Sequence, residues 1–403
     1  MLFDPVRHEP LAPLPWDAAR AREAIAGIVR DAEDKFDARR LWPPHPLDDP
    51  SAPGRPFTDL YLGAAGAILA LALLRQKGMA TLRREPADLM RALLSAFPLP
   101  PHGAANAPSF FLGEVGILLA AMRILPDARH EARLAQRIAE NVPDPANELF
   151  WAAPGTGLAA LFLHEWTGAA RFRDLAVQSF DQSLARWGED TTIGCRIWTQ
   201  RLYGDVLRYI GGAHGFAGNV HALLRASALF SPERLDEIRR EAARTAVATA
   251  IVRNDVANWP AVVEEMGRIN DRWRGLVQWC HGAPGVVIGL AGIPAGLDPR
   301  LDEVLLAGGE LVYRAGPLRK GPGLCHGTAG NGHALLKLHA RTGDARWLAR
   351  ARGFAMHAIE QWKSQRNRHR TGRYGLWTGD LGLALYLSGC IREDAAMPGI
   401  DVL

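Results

Sequence analysis

Cysteine is scarce: four residues in a chain of 403, too few for a disulfide framework. A cysteine with a special role is therefore expected to be a metal ligand or a reactive thiol in a reducing, cytoplasmic setting. Lysine is also rare, confined to Lys35, Lys77, Lys320, Lys337 and Lys363. Lys and Arg together number 47 against 43 Asp and Glu, a net charge of +4, and no dense basic block stands out. That argues against a nucleic-acid partner. Long apolar runs are missing too. The longest is Leu60 to Leu74, rich in Ala and Gly and ended by Arg75. It is short for a membrane span and suits a buried helix. The N-terminal stretch has no basic segment followed by an apolar one, so no signal peptide is expected. With 48% hydrophobic and 22% charged residues, the composition excludes a disordered chain. The length fits two or three domains, or one large domain if the chain repeats internally.

Glycine, by contrast, is abundant, and its 41 residues fall in register. A short apolar or aromatic stretch, Gly-x-x-Gly and an apolar run recur at Gly63/Gly66, Gly113/Gly116, Gly215/Gly218, Gly282/Gly285, Gly327/Gly330 and Gly379/Gly382. A further copy replaces the first glycine by Ala152 and keeps Gly155. The mean period is about 53 residues, in the range of helix-pair repeats. Amphipathic stretches lie between the copies, at 87–97, 128–140, 171–187, 232–251, 301–314 and 345–362, rich in Ala, Leu and Arg. No β-branched alternation marks a long strand. The pattern predicts an all-α fold of seven helix pairs, with an inner apolar helix and an outer amphipathic helix in each. The pairs close into an α/α toroid or stay open as a solenoid, with the glycine turns at one end. Residues 1–58 form a separate lead-in: a helix over about 15–36 and a proline-rich loop over 41–56, packing outside the repeats. Residues 59–403 form the barrel.

The chemistry sits on three turns. Cys280 in WCHGAPG and Cys325 in GLCHGTAG occupy equivalent positions, two residues before the first turn glycine, and His326 follows Cys325. Two thiolates and an imidazole make a zinc set with one tetrahedral corner open, as in catalytic sites. The competing reading is two packing cysteines and a hydrogen-bonded histidine, which the equivalent positions disfavour. His281 competes as a fourth ligand and would close the site. His214, one residue before Gly215, is a candidate general acid or base. Lys320 and Arg370 precede the sixth and seventh turns and suit a carboxylate, a phosphate or a developing enolate. Arg319, Arg366, Arg368 and Arg373 read as solvated loop charge, Asp380 as a helix cap, and Cys195 and Cys390 as packing residues. Glycan-acting α/α barrels would need paired acids at aligned turns, which are not found.

The segments WCHGAPG, KGPGLCHGTAGN and GGAHGFAGN, set in seven glycine repeats from about Asp59 to Leu387, resemble the lanthionine synthetase C-like proteins, in particular the stand-alone, eukaryotic-type members. The resemblance implies seven inner and seven outer helices, one catalytic Zn2+ held by Cys280, Cys325 and His326, and proton transfer assisted by His214. It implies addition of a thiol, glutathione or a peptide cysteine, to dehydroalanine or dehydrobutyrine in a peptide or protein. Lys320 and Arg370 match basic residues linked to glutathione or phosphate handling, and Arg7 is a weaker match to another. Two departures stand out: Ala152 with Pro154 in the third turn, and Glu148 where the peptide cyclases carry an Asp. The toroid is expected to fill the 403 residues, leaving no room in them for a dehydratase domain, so a lanthipeptide cyclase would need a dehydratase partner. A zinc-containing module that binds glutathione or a partner without turnover is the reading from another class.

Overall fold

The computed structural model describes residues 2–48, 56–96, 107–266 and 275–403. Phe97 at the end of one expected helix, and Pro50 and Pro53 of the proline-rich loop, lie outside the described residues.

The seven glycine turns open seven inner helices: α2 (Ala64–Gln76), α4 (Glu114–Ile124), α6 (Ala153–Thr167), α8 (Phe216–Arg225), α10 (Ala283–Leu290), α12 (Thr328–Thr342) and α14 (Asp380–Arg392). These are buried nearly all round, α10 at every residue. Each packs on the next, and α14 packs on α2, so the ring is closed. Between them run the outer helices α3 (Pro86–Ala96), α5 (Ala128–Asn141), α7 (Ala170–Ala185), α9 (Pro232–Thr249), α11 (Pro299–Ala315) and α13 (Ala345–His369). Their apolar residues form one stripe facing inward. In α5 only Leu134, Ile138 and Asn141 are buried. The seventh outer position is taken by α1 (Ala18–Lys35), which packs on α14 and α13. The N-terminal helix thus completes the double ring, an α/α toroid with its glycine turns at one end.

The two rings begin their helices differently. Five of the outer helices start on side-chain caps: Asp17, Asp127, Ser231, Asp298 and Asp344 each accept a first-turn N–H. Inner helices start on glycine or Ala152, with no side-chain cap. In five of them the first N–H donates instead to a carbonyl seven residues back: Ala64 to Phe57 (3.0 Å), Glu114 to Ala107 (2.9 Å), Phe216 to Tyr209 (3.0 Å), Thr328 to Gly321 (2.9 Å) and Asp380 to Arg373 (2.8 Å); in α10 the Ala283 N–H donates to Asn258 Oδ1 at 2.8 Å. In those five the preceding loop is the cap. For the chain to fold back so closely, the second glycine of every turn lies against the carbonyl oxygen six residues before it. Gly66 meets Leu60, Gly155 meets Leu149, Gly330 meets Leu324 and Gly382 meets Leu376 in this way. A Cβ there would sit inside van der Waals contact. A Cβ at the first glycine would also meet backbone, at 2.0–2.5 Å in all six copies, and Gly282 in addition has a left-handed φ, +98°. Ala152 takes the same place in the third turn with φ −119°.

Three short hairpins fill the longest insertions: β1 (Gly188–Asp190) with β2 (Cys195–Ile197), β3 (Gln200–Leu202) with β4 (Asp205–Leu207), and β5 (Ile251–Arg253) with β6 (Val256–Asn258). For this reason α7 and α9 end at Ala185 and Thr249, short of the helix ends expected at 187 and 251. Substituting Gly330→Ala should destabilise the fold by about 1–3 kcal/mol. Gly188→Ala, where an added Cβ meets nothing within 4 Å, should change stability by less than about 0.5 kcal/mol. Denaturant unfolding of the two variants checks both.

Candidate metal centre

The residue two before the first turn position is Tyr61, Phe111, Phe150, Ala213, Cys280, Cys325 and Trp377 in the seven copies. Backbone hydrogen bonds tie six of these side by side. Cys280 N–H donates to the Cys325 carbonyl (3.2 Å), Cys325 to Trp377 (2.9 Å), Trp377 to Tyr61 (3.1 Å), Tyr61 to Phe111 (3.1 Å) and Phe111 to Phe150 (3.5 Å). Gly211 closes the circle by packing on the Cys280 carbonyl. The aromatic members fill the middle of the ring: Phe111 stacks on Phe150 at 4.7 Å and meets Trp377 edge-on at 5.2 Å, with Trp279 at 4.2 Å from Trp377. The two cysteines are the polar segment of an otherwise apolar circle.

Here the donor atoms of Cys280, Cys325 and His326 lie within 4.8 Å of one another, with both cysteines buried. Donors around a tetrahedral zinc stand about 3.8 Å apart, so this set reaches that geometry by a shift of about an ångström. Soft sulfur with imidazole is chemistry that suits zinc. The Cys325 and His326 hydrogen bonds hold the Cys280 thiol well below its ordinary range, against burial. Burial and the neighbouring Cys280 push Cys325 the other way. The two thiols are thus shifted in opposite directions. Gln278 Nε2 donates to Cys280 Sγ at 2.9 Å, and the Tyr61 hydroxyl hydrogen-bonds Cys325. Neither was visible in the motifs, although Tyr61 occupies the position equivalent to Cys325 in the first copy. His281 is outside the group of three. Burial pushes its pKa down to about 4, with the positive charge of His214 and Lys320 adding, so it is a neutral imidazole at pH 7.

His214 faces the same end. Its Nδ1 is 3.0 Å from Glu148 Oε2, a fully buried carboxylate that also accepts the N–H groups of Phe150 (3.0 Å) and Trp151 (2.7 Å). The glutamate thus fixes the imidazole, a role that the sequence left in doubt. The turn before it is held by Asn147, at φ +52°, whose carbonyl accepts from Asn219 Nδ2 at 2.8 Å.

Of the cations, Lys320 is exposed, and its charge bears on both Cys325 and His281. Arg370 ends α13 in the left-handed region, φ +59°, with its side chain exposed. Arg7 pairs with Asp4 at 3.4 Å on an N-terminal arm, and its carbonyl accepts the Arg319 N–H at 3.0 Å, beside Lys320. Arg366 and Arg373 are not free loop charges: they pair with Asp31 and with Asp48 (2.6 Å). Asp380 does not cap α14, which starts on Gly379. Its carboxyl accepts the Arg373 N–H at 3.0 Å, and burial pushes its pKa up to about 7. Cys195 and Cys390 are buried away from the group of three.

A family model described as lanthionine synthetase C-like protein matches residues 57–402. The chain belongs to the lanthionine synthetase C-like family. Glutathione S-transferase LANCL1 of Danio rerio is 31% identical to it over 180 residues, 44% of this chain and 40% of that protein. LanC-like protein GCL1 of Arabidopsis thaliana is 28% identical over 313 residues, 75% of this chain and 66% of that protein. The chain thus spans less than two thirds of the length of either relative. Nisin cyclase shares the fold, with a TM-score of 0.60 at 17% identity over 83% of this chain and 89% of that one. Among the described residues, no helix is long and apolar enough to cross a membrane.

Purified protein is expected to hold one zinc per chain, and Cys325→Ala to lose it while Cys390→Ala keeps it. Metal analysis of the three proteins is the check, and stoichiometric zinc in Cys325→Ala would sink the assignment.

Proposed function

We propose that this lanthionine synthetase C-like protein is an enzyme that adds a thiol to dehydroalanine or dehydrobutyrine, forming a thioether. The observation that carries this reading is the buried Cys280–Cys325–His326 set, with the Glu148–His214 pair at the same end of the barrel. Cys280, Cys325 and His326 would hold zinc, which as a Lewis acid favours the thiolate form of an incoming thiol at neutral pH.

The remaining work falls to the chain. The sulfur attacks the β-carbon of the dehydroamino acid, and the C=C electron pair moves onto the carbonyl as an enolate. The α-carbon then takes a proton, and the imidazole of His214 is the group that delivers it. Glu148, on Nδ1, leaves Nε2 as the nitrogen that exchanges this proton and stabilises the imidazolium form before delivery. The ring lies tilted against Phe150, 4.9 Å between centroids. Proton and thiol balance: one S–H and one C=C become one C–S and one C–H bond.

Lys320 favours glutathione as the thiol, because an exposed ammonium at the mouth can pair with one of its carboxylates. The name of the zebrafish relative points the same way. Arg370 and Arg7 are the further candidate cations for that anion or for a phosphate. A precursor-peptide cysteine, supplied with a dehydratase partner, is the second thiol to be tested, since nisin cyclase shares the toroid.

Incubation with a dehydroalanine peptide and either glutathione or a cysteine peptide, read by mass spectrometry, should give the glutathione adduct. His214→Asn is expected to lower kcat by about 10²–10⁴ with zinc retained. Lys320→Ala should raise the KM for glutathione about tenfold, the loss of one charge-assisted contact. Zinc-loaded protein that binds glutathione but forms no adduct would make it a binding module.

A further inference from the structure

The β3–β4 hairpin is joined by two residues, Tyr203 and Gly204, at φ +55° and +88°. Positive φ at both positions is the primed turn that fits strand twist, and its first position normally carries Asn, Asp or Gly. A bulky tyrosine there is a backbone outlier, and such strain is characteristic of functional positions. Packing does not explain it, since Tyr203 is 68% exposed.

Its neighbours do explain it. The phenol oxygen accepts the Trp151 indole N–H at 3.2 Å. The ring meets His214 edge to face at 5.8 Å between centroids. The hairpin is tied to the loop that orients His214: Asn147 Nδ2 donates to the Thr199 carbonyl at 2.8 Å, and Arg201 N–H to the Pro145 carbonyl at 3.2 Å. Trp151 occupies in the third turn the position that His214 and His326 occupy in theirs. Because Trp151 donates to the phenol oxygen, the phenolic hydrogen is left for another acceptor. Although the residue as a whole is exposed, desolvation around the hydroxyl, with the charge of Glu148 adding, pushes its pKa up to about 12. The group therefore stays a donor at neutral pH.

We propose that Tyr203 binds the dehydroamino-acid acceptor, donating its phenolic hydrogen to the acceptor's carbonyl oxygen and so holding the α-carbon toward His214. This rests on the thiol-addition reading. During addition the oxygen gains the negative charge of the enolate, and the hydrogen bond strengthens as it forms. Tyr203 keeps its proton throughout, and the proton that ends on the α-carbon comes from His214. The hairpin tip thereby chooses the acceptor, while the metal centre and Lys320 handle the thiol.

Two variants separate the hydroxyl from the turn. Tyr203→Phe removes only the donor. Tyr203→Asn removes the ring and suits the positive φ, so the hairpin persists or gains stability. With the dehydroalanine peptide varied at saturating glutathione, both should lower kcat/KM for the peptide by at least tenfold. The KM for glutathione and the zinc content should stay unchanged. Wild-type rates in both variants would overturn the proposal. Calorimetric binding of the dehydroalanine peptide without thiol is the second readout. If wild-type protein forms no adduct, the thiol-addition reading fails on its own. In that case equal peptide affinity in wild type and Tyr203→Asn, or no binding to either, overturns the role of Tyr203, and weaker binding to the variant sustains it.

Discussion

A glycine packed on the carbonyl oxygen six residues earlier, so closely that a Cβ would not fit, is the constraint on which the rest depends. It is repeated at the start of all seven inner helices, from Gly66 on Leu60 to Gly382 on Leu376. It folds each loop over its own helix, so that in five of them a loop carbonyl satisfies the first N–H in place of a side-chain cap. It also fixes which residue of each turn points to the axis. Neighbouring turns then exchange main-chain hydrogen bonds around the circle, and Cys280 and Cys325 become neighbours although 45 residues apart in sequence. The pairing of the two cysteines is a consequence of the ring before it is a feature of side chains.

The two ends of the barrel have opposite characters. At the turn end, two buried sulfurs lie beside a neutral His281, with Lys320 at the rim bearing on Cys325 and His281. At the far end, basic groups of the inner ring are consumed in closing it. Asp401 pairs with His221 (2.7 Å) and Lys337 (2.6 Å), and Asp394 pairs with Lys77 (2.6 Å). Two of the five lysines are thus structural.

Glycine register made the toroid legible in the sequence, because the close contact tolerates no Cβ and therefore leaves a mark in every copy. The cysteines were legible for the same reason: equivalent positions in a ring face the same axis. What depends on approach between distant segments was not. Nothing in Glu148 itself says that it meets His214, nor in Gln278 that it donates to Cys280. Strands of three residues are too short to show alternation, so the hairpins went unseen and with them the placement of Tyr203. α1 carries no glycine turn of its own, so its place as the seventh outer helix is written only in packing against α13 and α14. Arg366 and Arg373 read as solvated until Asp31 and Asp48 arrive from the N-terminal region.

Whether an incoming thiol lands on the metal is tested most directly by X-ray absorption at the zinc edge, with and without glutathione. Two sulfurs, one imidazole nitrogen and one light atom are expected in the free protein, changing to three sulfurs and one nitrogen when glutathione is added. Two sulfurs and two imidazole nitrogens, unaltered by glutathione, would mean that His281 fills the fourth corner and that the metal is structural.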